Sequence, residues 1–183
     1  MTTGPTRRDL LRTAARCTAV LALGGGAAAL LRRAQPAGAW SIDPSVCTGC
    51  DGCASGCVVP GSAVRCVNDF DRCGYCAVCY GYFKGGIDAV PVDEPANRIC
   101  PQEAIIRRRV GDLQWEYTID PERCDGCGAC VAPCRTYGHA SFRLRVDAER
   151  CLDCSRCGIA SACMPQAIAW RAEPVTSEEG RHG

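Results

Sequence analysis

The chain has 183 residues and 18 cysteines, about a tenth of its composition. Leu, Ile, Val and Phe supply only 33 of the 183 residues, 18 %, and the 47 % hydrophobic content is inflated by counting the cysteines. An ordinary oil-drop domain is excluded, so disulfides or metal must hold the chain together. The 21 basic and 20 acidic residues give neither the basic face of a nucleic-acid binder nor the high net charge of a disordered chain.

The first segment, residues 1–39, reads as an address. Arg7 and Arg8 stand just ahead of an apolar stretch, with Arg12 and Arg16 following. Thr18 to Leu31 is apolar and rich in Ala and Gly, and Ala37-Gly38-Ala39 is an A-x-A cleavage signal before Trp40. These three parts resemble a twin-arginine export signal. The apolar run, about 14 residues, is short of the ~20 that span a bilayer. That export route carries proteins already folded around a cofactor, which a disulfide scaffold does not need. Cys17 lies inside this segment and belongs to no site. From Trp40 onward 144 residues remain, with 15 Lys and Arg against 19 Asp and Glu, a net of −4. No later apolar run is long enough to span a membrane.

The remainder runs as strands and cysteine loops. Ser41-Ile42-Asp43-Pro44 predicts a short strand ahead of Cys47-x2-Cys50-x2-Cys53-x3-Cys57. Cys66 stands alone. Cys73-x2-Cys76-x2-Cys79 follows, with Tyr75, Tyr80, Tyr82 and Phe83 around it, expected to pack over the site. A twenty-residue excursion, Tyr80 to Ile99, precedes Cys100-Pro101-Gln102-Glu103-Ala104-Ile105, read as a helical turn and a strand. Ile105 to Val110, Gly111-Asp112 and Gln114 to Ile119 predict a β-hairpin. Asp120-Pro121 then leads into Cys124-x2-Cys127-x2-Cys130-x3-Cys134. Leu144 to Asp147 repeats the strand ahead of Cys151-x2-Cys154-x2-Cys157-x5-Cys163, and Met164-Pro165-Gln166-Ala167-Ile168 repeats the turn and strand. Residues 173–183 are a polar tail. His139 and His182 are isolated and are not expected to be ligands.

Sixteen cysteines therefore fall into four regular motifs. Thiolates at i, i+3 and i+6 wrap a loop around one cubane, each binding a different iron, and the fourth iron takes a cysteine from elsewhere. Gly49, Gly52, Gly74, Gly126 and Gly128 between the ligands let the backbone adopt positive φ and turn N–H groups toward sulfur. Structural zinc is usually held by two separated C-x2-C pairs. A disulfide framework suits an exported protein but explains neither the triplets nor the folded-export signal.

The export signal, the four triplets and the two C-(x)-P-x-A-I tails resemble exported four-cluster [4Fe–4S] ferredoxin-type proteins. These include ferredoxin-type subunits of periplasmic nitrate reductase and methylamine utilisation systems, and iron–sulfur subunits of dimethyl-sulfoxide-reductase-type oxidoreductases. The resemblance covers residues 1–171. It implies an α+β fold of two ferredoxin-like modules, one inserted in the other, within a domain spanning 40–172. The outer module would be about 40–66 plus 140–172 and the inner about 67–139. It further implies one cluster on Cys73, Cys76, Cys79 and Cys134 and its neighbour on Cys124, Cys127, Cys130 and Cys100. The outer module would bind through Cys47, Cys50, Cys53 and Cys163, and through Cys151, Cys154, Cys157 and Cys57. A tandem pairing of first with second and third with fourth motif stays open. So does replacement of Cys100, the least certain ligand, by Cys66. Cys57 and Cys134 depart from the pattern by lacking a following Pro.

The implied function is an electron-transfer subunit, not itself an enzyme, working in the periplasm. Its partners would be a membrane-bound quinone or cytochrome subunit or a periplasmic oxidoreductase, with no nucleic acid and no membrane span after cleavage. Arg72, Arg123, Arg135, Arg150 and Arg156 beside the motifs are candidates to raise cluster potentials. Two alternatives stay open: a component with one labile-iron cluster that meets substrate, expected near Cys79 to Cys100, and a structural zinc protein acting in assembly.

Overall fold

A computed structural model describes residues 38–172. The residues read as an export signal up to Ala37, with Cys17, and the polar tail 173–183, with His182, lie outside the described residues.

The described chain has few helices and small antiparallel sheets, a small α+β fold. Six strands form three two-stranded ladders, and their order is concentric. β1 (Ala39–Ile42) pairs with β6 (Ile168–Arg171), β2 (Val64–Asn68) with β5 (Phe142–Val146), and β3 (Ile105–Arg109) with β4 (Trp115–Ile119). The expected cleavage before Trp40 falls just after the first residue of β1. Three short helices, α1 (Gly52–Gly56), α2 (Val131–Tyr137) and α3 (Gly158–Ala162), lie in the cysteine loops. No helix among the described residues is long and apolar enough to cross a membrane.

β5 alternates: Phe142 and Leu144 are buried, while Arg143 is half-buried and Arg145 exposed. On β4 only the central Tyr117 is fully buried, with its neighbours partly covered. β2 has no alternation to read: Val64, Arg65 and Cys66 are all buried, because the strand is covered on both faces. The hairpin stands where the sequence predicts it, in register Ile105↔Ile119 to Arg109↔Trp115.

The helical segments differ from expectation. After Cys100 and Cys163 the chain makes single turns, closed by Glu103 N–H to Cys100 C=O and Gln166 N–H to Cys163 C=O. Glu103 and Gln166 then adopt φ of 48° and 53°, which a right-handed helix cannot continue through. The helices lie earlier instead: α1 and α3 precede a fourth cysteine, and α2 contains Cys134.

The excursion after Cys79 is closed at its base by the Phe83–Arg98 bridge and by Ile99 N–H to Tyr82 C=O at 2.8 Å. Asp93 ties its middle down, accepting from Tyr82 Oη at 2.7 Å and from Arg98 Nε at 2.9 Å. Tyr82 and Phe83 belong to the core, edge to face at 4.9 Å, with Tyr82 also against Tyr117 at 5.4 Å. Tyr75 stacks on Phe70 and Tyr80 leans on Tyr137.

Candidate metal centre

Each cysteine triplet is launched in the same way. The N–H of Cys47, Cys73, Cys124 and Cys151 donates to the carbonyl of the Asp four residues earlier, Asp43, Asp69, Asp120 and Asp147. The residue just before the second cysteine has positive φ in all four loops: Gly49 69°, Tyr75 51°, Gly126 73° and Asp153 48°. That conformation reverses the chain so that successive thiols face one side. The glycine expectation is thus corrected in part. Gly52 and Gly74 are not among the positive-φ residues, and in the second motif Tyr75 makes the reversal. Gly74 serves space instead, since the His139 imidazole occupies the place of a Cβ there.

The fourth cysteines share a second pattern. Ser62, Glu103, Ala140 and Gln166 all have positive φ, and each is followed by a buried small residue, Ala63, Ala104, Ser141 or Ala167, that stands immediately before a strand. The N–H groups of Ala63, Ala104 and Ala167 point at the sulfurs of Cys57, Cys100 and Cys163 at 3.4, 3.4 and 3.3 Å. Ser141 Oγ lies 3.6 Å from Cys134 Sγ.

The two patterns are stitched together across the ladders. Asp43 N–H donates to Ala167 C=O, Asp69 to Ser141, Asp120 to Ala104 and Asp147 to Ala63, each at 2.8 Å. Every triplet thereby starts beside one fourth cysteine: Cys47 with Cys163, Cys73 with Cys134, Cys124 with Cys100, and Cys151 with Cys57. Burial raises the Cys53 thiol to about 12, and the nearby thiols of Cys47, Cys163, Cys50 and Cys157 add to it. Burial likewise raises Cys79 to about 12, opposed by the Gly81 N–H and reinforced by Cys134 and Cys76. Cys57, Cys151, Cys154 and Cys157 line one cavity, walled by Trp40, Val64, Val146 and Ile168.

No two cysteines from Cys47 to Cys163 are joined in a disulfide. Among the described residues no three Cys, His, Asp or Glu side chains converge on a position for a single metal ion. A cationic iron–sulfur core suits this donor set. Thiols kept protonated by burial would release their protons to solvent on binding such a core, which takes them as thiolates, and the backbone already aims N–H groups at the sulfurs.

The motif loops touch one another through glycines. A Cβ on Gly128 would meet Gly49 backbone at 2.8 Å, so the first and third loops are back to back. Gly56 and Gly158 place α1 against α3, joining the first and fourth motifs. Gly81, after the second triplet, lies close to Cys130 C=O of the third.

Several residues outside the motifs reach these loops. His139, expected to be isolated, has Nδ1 3.7 Å from Cys76 Sγ. Arg107 donates to Ala77 C=O at 3.0 Å and lies over the Trp115 ring at 3.5 Å. Cys66 N–H donates to Cys124 Sγ at 3.3 Å, and Cys66 Sγ is 3.5 Å from Cys130 Sγ. Burial raises Cys124, opposed by the N–H groups of Cys66 and Gly126 and by the charge of Arg65. Of the arginines read as neighbours of the motifs, Arg72, Arg123, Arg135 and Arg156 are exposed. Arg107 and His139 are far in sequence from the loops they touch, Ala77 and Cys76, so motif spacing gave no sign of them.

Residues 117–137 match the 4Fe-4S binding domain family, a span holding the third triplet and Cys134. No curated protein and no solved structure matches the chain significantly. The match supports [4Fe–4S] cluster binding in this span and an iron–sulfur electron-transfer role.

Proposed function

We propose that the chain holds four [4Fe–4S] clusters in two nested ferredoxin-like modules and relays single electrons between proteins. The ligand sets are Cys47, Cys50, Cys53 and Cys163; Cys73, Cys76, Cys79 and Cys134; Cys124, Cys127, Cys130 and Cys100; and Cys151, Cys154, Cys157 and Cys57. The observation that carries this reading is the fourfold repeat of two backbone patterns, in which the small buried residue Ala63, Ala104, Ser141 or Ala167, four to seven positions after a fourth cysteine, accepts a hydrogen bond from the N–H of the Asp that launches one triplet. A cubane with four thiolates has no open iron site and exchanges electrons one at a time.

The loop contacts support a linear order: fourth motif, first, third, second. Gly56 and Gly158 link the first pair, Gly49 and Gly128 the middle pair, and Gly81 with Cys130 the last. Export through the twin-arginine signal places the protein in the periplasm. There its partners are a membrane quinone or cytochrome subunit at one end of the row and a periplasmic oxidoreductase at the other.

Iron and acid-labile sulfide on anaerobically purified protein test the count, with about sixteen of each per chain expected. About four of each, or zinc in place of iron, would overturn it. Export is tested separately by Arg7→Lys with Arg8→Lys, which should leave holoprotein in the cytoplasm; undiminished periplasmic protein would refute the route.

A further inference from the structure

Three consecutive carbonyls of the second triplet are met by the β3–β4 hairpin. Trp115 N–H donates to Tyr75 C=O at 3.0 Å, Tyr117 Oη to Cys76 C=O at 2.8 Å, and Arg107 Nη2 to Ala77 C=O at 3.0 Å. Arg107 Nε also donates to Tyr117 Oη at 3.3 Å, so guanidinium and phenol together brace the stretch between Cys76 and Cys79. A full positive charge is thereby bonded to the backbone between two of the motif's thiols.

That charge is poorly screened. The Arg107 side chain is 9 % exposed and packed among rings, 3.5 Å from the centre of Trp115 and 5.1 Å from that of Phe83. Where water is excluded, a charge acts several times more strongly than it does in solvent. Arg135, which reaches the first motif through the carbonyls of Cys47 and Ser45, is exposed by comparison, and water and salt damp it.

One carboxylate faces the Arg107 cation. Asp93 Oδ2 lies 3.9 Å from Arg107 Nη1, beyond hydrogen-bond reach, while Asp93 Oδ1 accepts from Tyr82 Oη and Arg98 Nε. Arg98 has Glu103 at 4.0 Å, and Glu103 has Arg123 at 3.6 Å. Three cations against two carboxylates leave one positive charge in this network, and its member on the ligand loop is Arg107. Asp93 stands on the excursion between Cys79 and Cys100, so the insertion that breaks the motif spacing carries the opposing charge.

We propose that Arg107 and Asp93 are opposed charges that set the potential of the second-motif site, Arg107 favouring its reduction and Asp93 restraining it. The inference rests on the four-cluster reading. A cluster with four thiolates carries about −2 when oxidised and about −3 when reduced. The electron comes from a one-electron reductant: the donor protein in use, dithionite in the test. The negative charge it adds is stabilised by the cation at Ala77 and opposed by the carboxylate behind that cation. Neither residue is a ligand; both act through the field at the site.

Anaerobic holoprotein titrated with dithionite and followed by electron paramagnetic resonance tests this. Cys76→Ser assigns the second-motif signal by altering it, and Cys127→Ser and Cys154→Ser assign the third and fourth. Arg107→Gln should make the second-motif signal appear later in the titration. Asp93→Asn, which keeps an oxygen for Tyr82 and Arg98, should make it appear earlier. Arg107→Lys, which keeps the charge, should return the signal most of the way to its unaltered place. Residues that only held the loop in shape would not move the signal in opposite directions. Shifts of the same sign, or no shift in Asp93→Asn with iron intact, overturn the inference and leave four clusters standing. If Arg107→Gln does not accumulate, Asp93→Asn decides alone: an earlier signal supports the inference and a later or unmoved one overturns it. Unaltered protein with far fewer than about sixteen irons removes the reading beneath it.

Discussion

The third and fourth motifs use the same loop in opposite surroundings. Both start from an Asp carbonyl, both reverse at the residue before the second cysteine, and both meet their fourth cysteine across a ladder. Yet Cys124 and Cys130 are buried beneath β2, whereas Cys151, Cys154 and Cys157 are only partly covered and Leu152 between them is 69 % exposed. The difference teaches that the ligand loop fixes which sulfurs meet, while the chain around it fixes dielectric, charge and donors. Four copies of one loop can therefore hold sites of different potential and different durability.

Removing a sulfur from each region should separate them most strongly. Cys130 belongs to the core cluster with Val131, Cys134 and Phe142, so a lost cluster there empties the interior. Cys130→Ala should give little or no accumulated holoprotein. Cys154→Ala should fold and retain about twelve irons, having lost one cluster at the margin. Equal accumulation with equal iron would show that the inner site is no more structural than the outer.

A subtler break targets the reversal itself. Gly126 has φ 73°, and a Cβ there would run into the Val64 carbonyl of β2. Gly126→Ala adds the left-handed cost of ~1–2 kcal/mol to a displacement of backbone. Chelator should then strip iron from this variant at least tenfold faster than from unaltered protein, beginning with the third-motif signal.

The triplet loops were legible in the sequence because their pattern is local. Spacing of three residues between thiols is what a cubane would need, while the Asp carbonyl that launches each triplet shows only in the backbone bonds. The hairpin was legible too, since Gly111-Asp112 interrupts two alternating runs. What surrounds the loops was not. β2 reads Val64-Arg65-Cys66-Val67-Asn68 with no period, because both of its faces are covered and burial is set by partners 58 or more residues away, as Cys66 on Cys124 shows. The helical turns expected after Cys100 and Cys163 followed from Pro101 and Pro165, but the positive φ of Glu103 and Gln166 was imposed by the need to return the next N–H to sulfur. His139 gave no signal, since its partner loop lies 63 residues earlier.

The smallest expected effect asks whether the reversal is strained where no glycine supplies it. Asp153 occupies in the fourth motif the place of Gly126 in the third, at φ 48°. It is exposed, whereas a Cβ at Gly126 would meet β2 backbone. A side chain in the left-handed region costs ~1–2 kcal/mol relative to one in the right-handed region, and glycine is free of that penalty. Asp153→Gly also loosens the unfolded chain, which returns part of the gain. The net should be a stabilisation of no more than about 1 kcal/mol, read as a modest slowing of chelator attack on the fourth-motif signal and no change at the third. Faster loss from Asp153→Gly would mean that the aspartate side chain itself holds the loop, and that the outer site, like the inner, depends on more than its backbone.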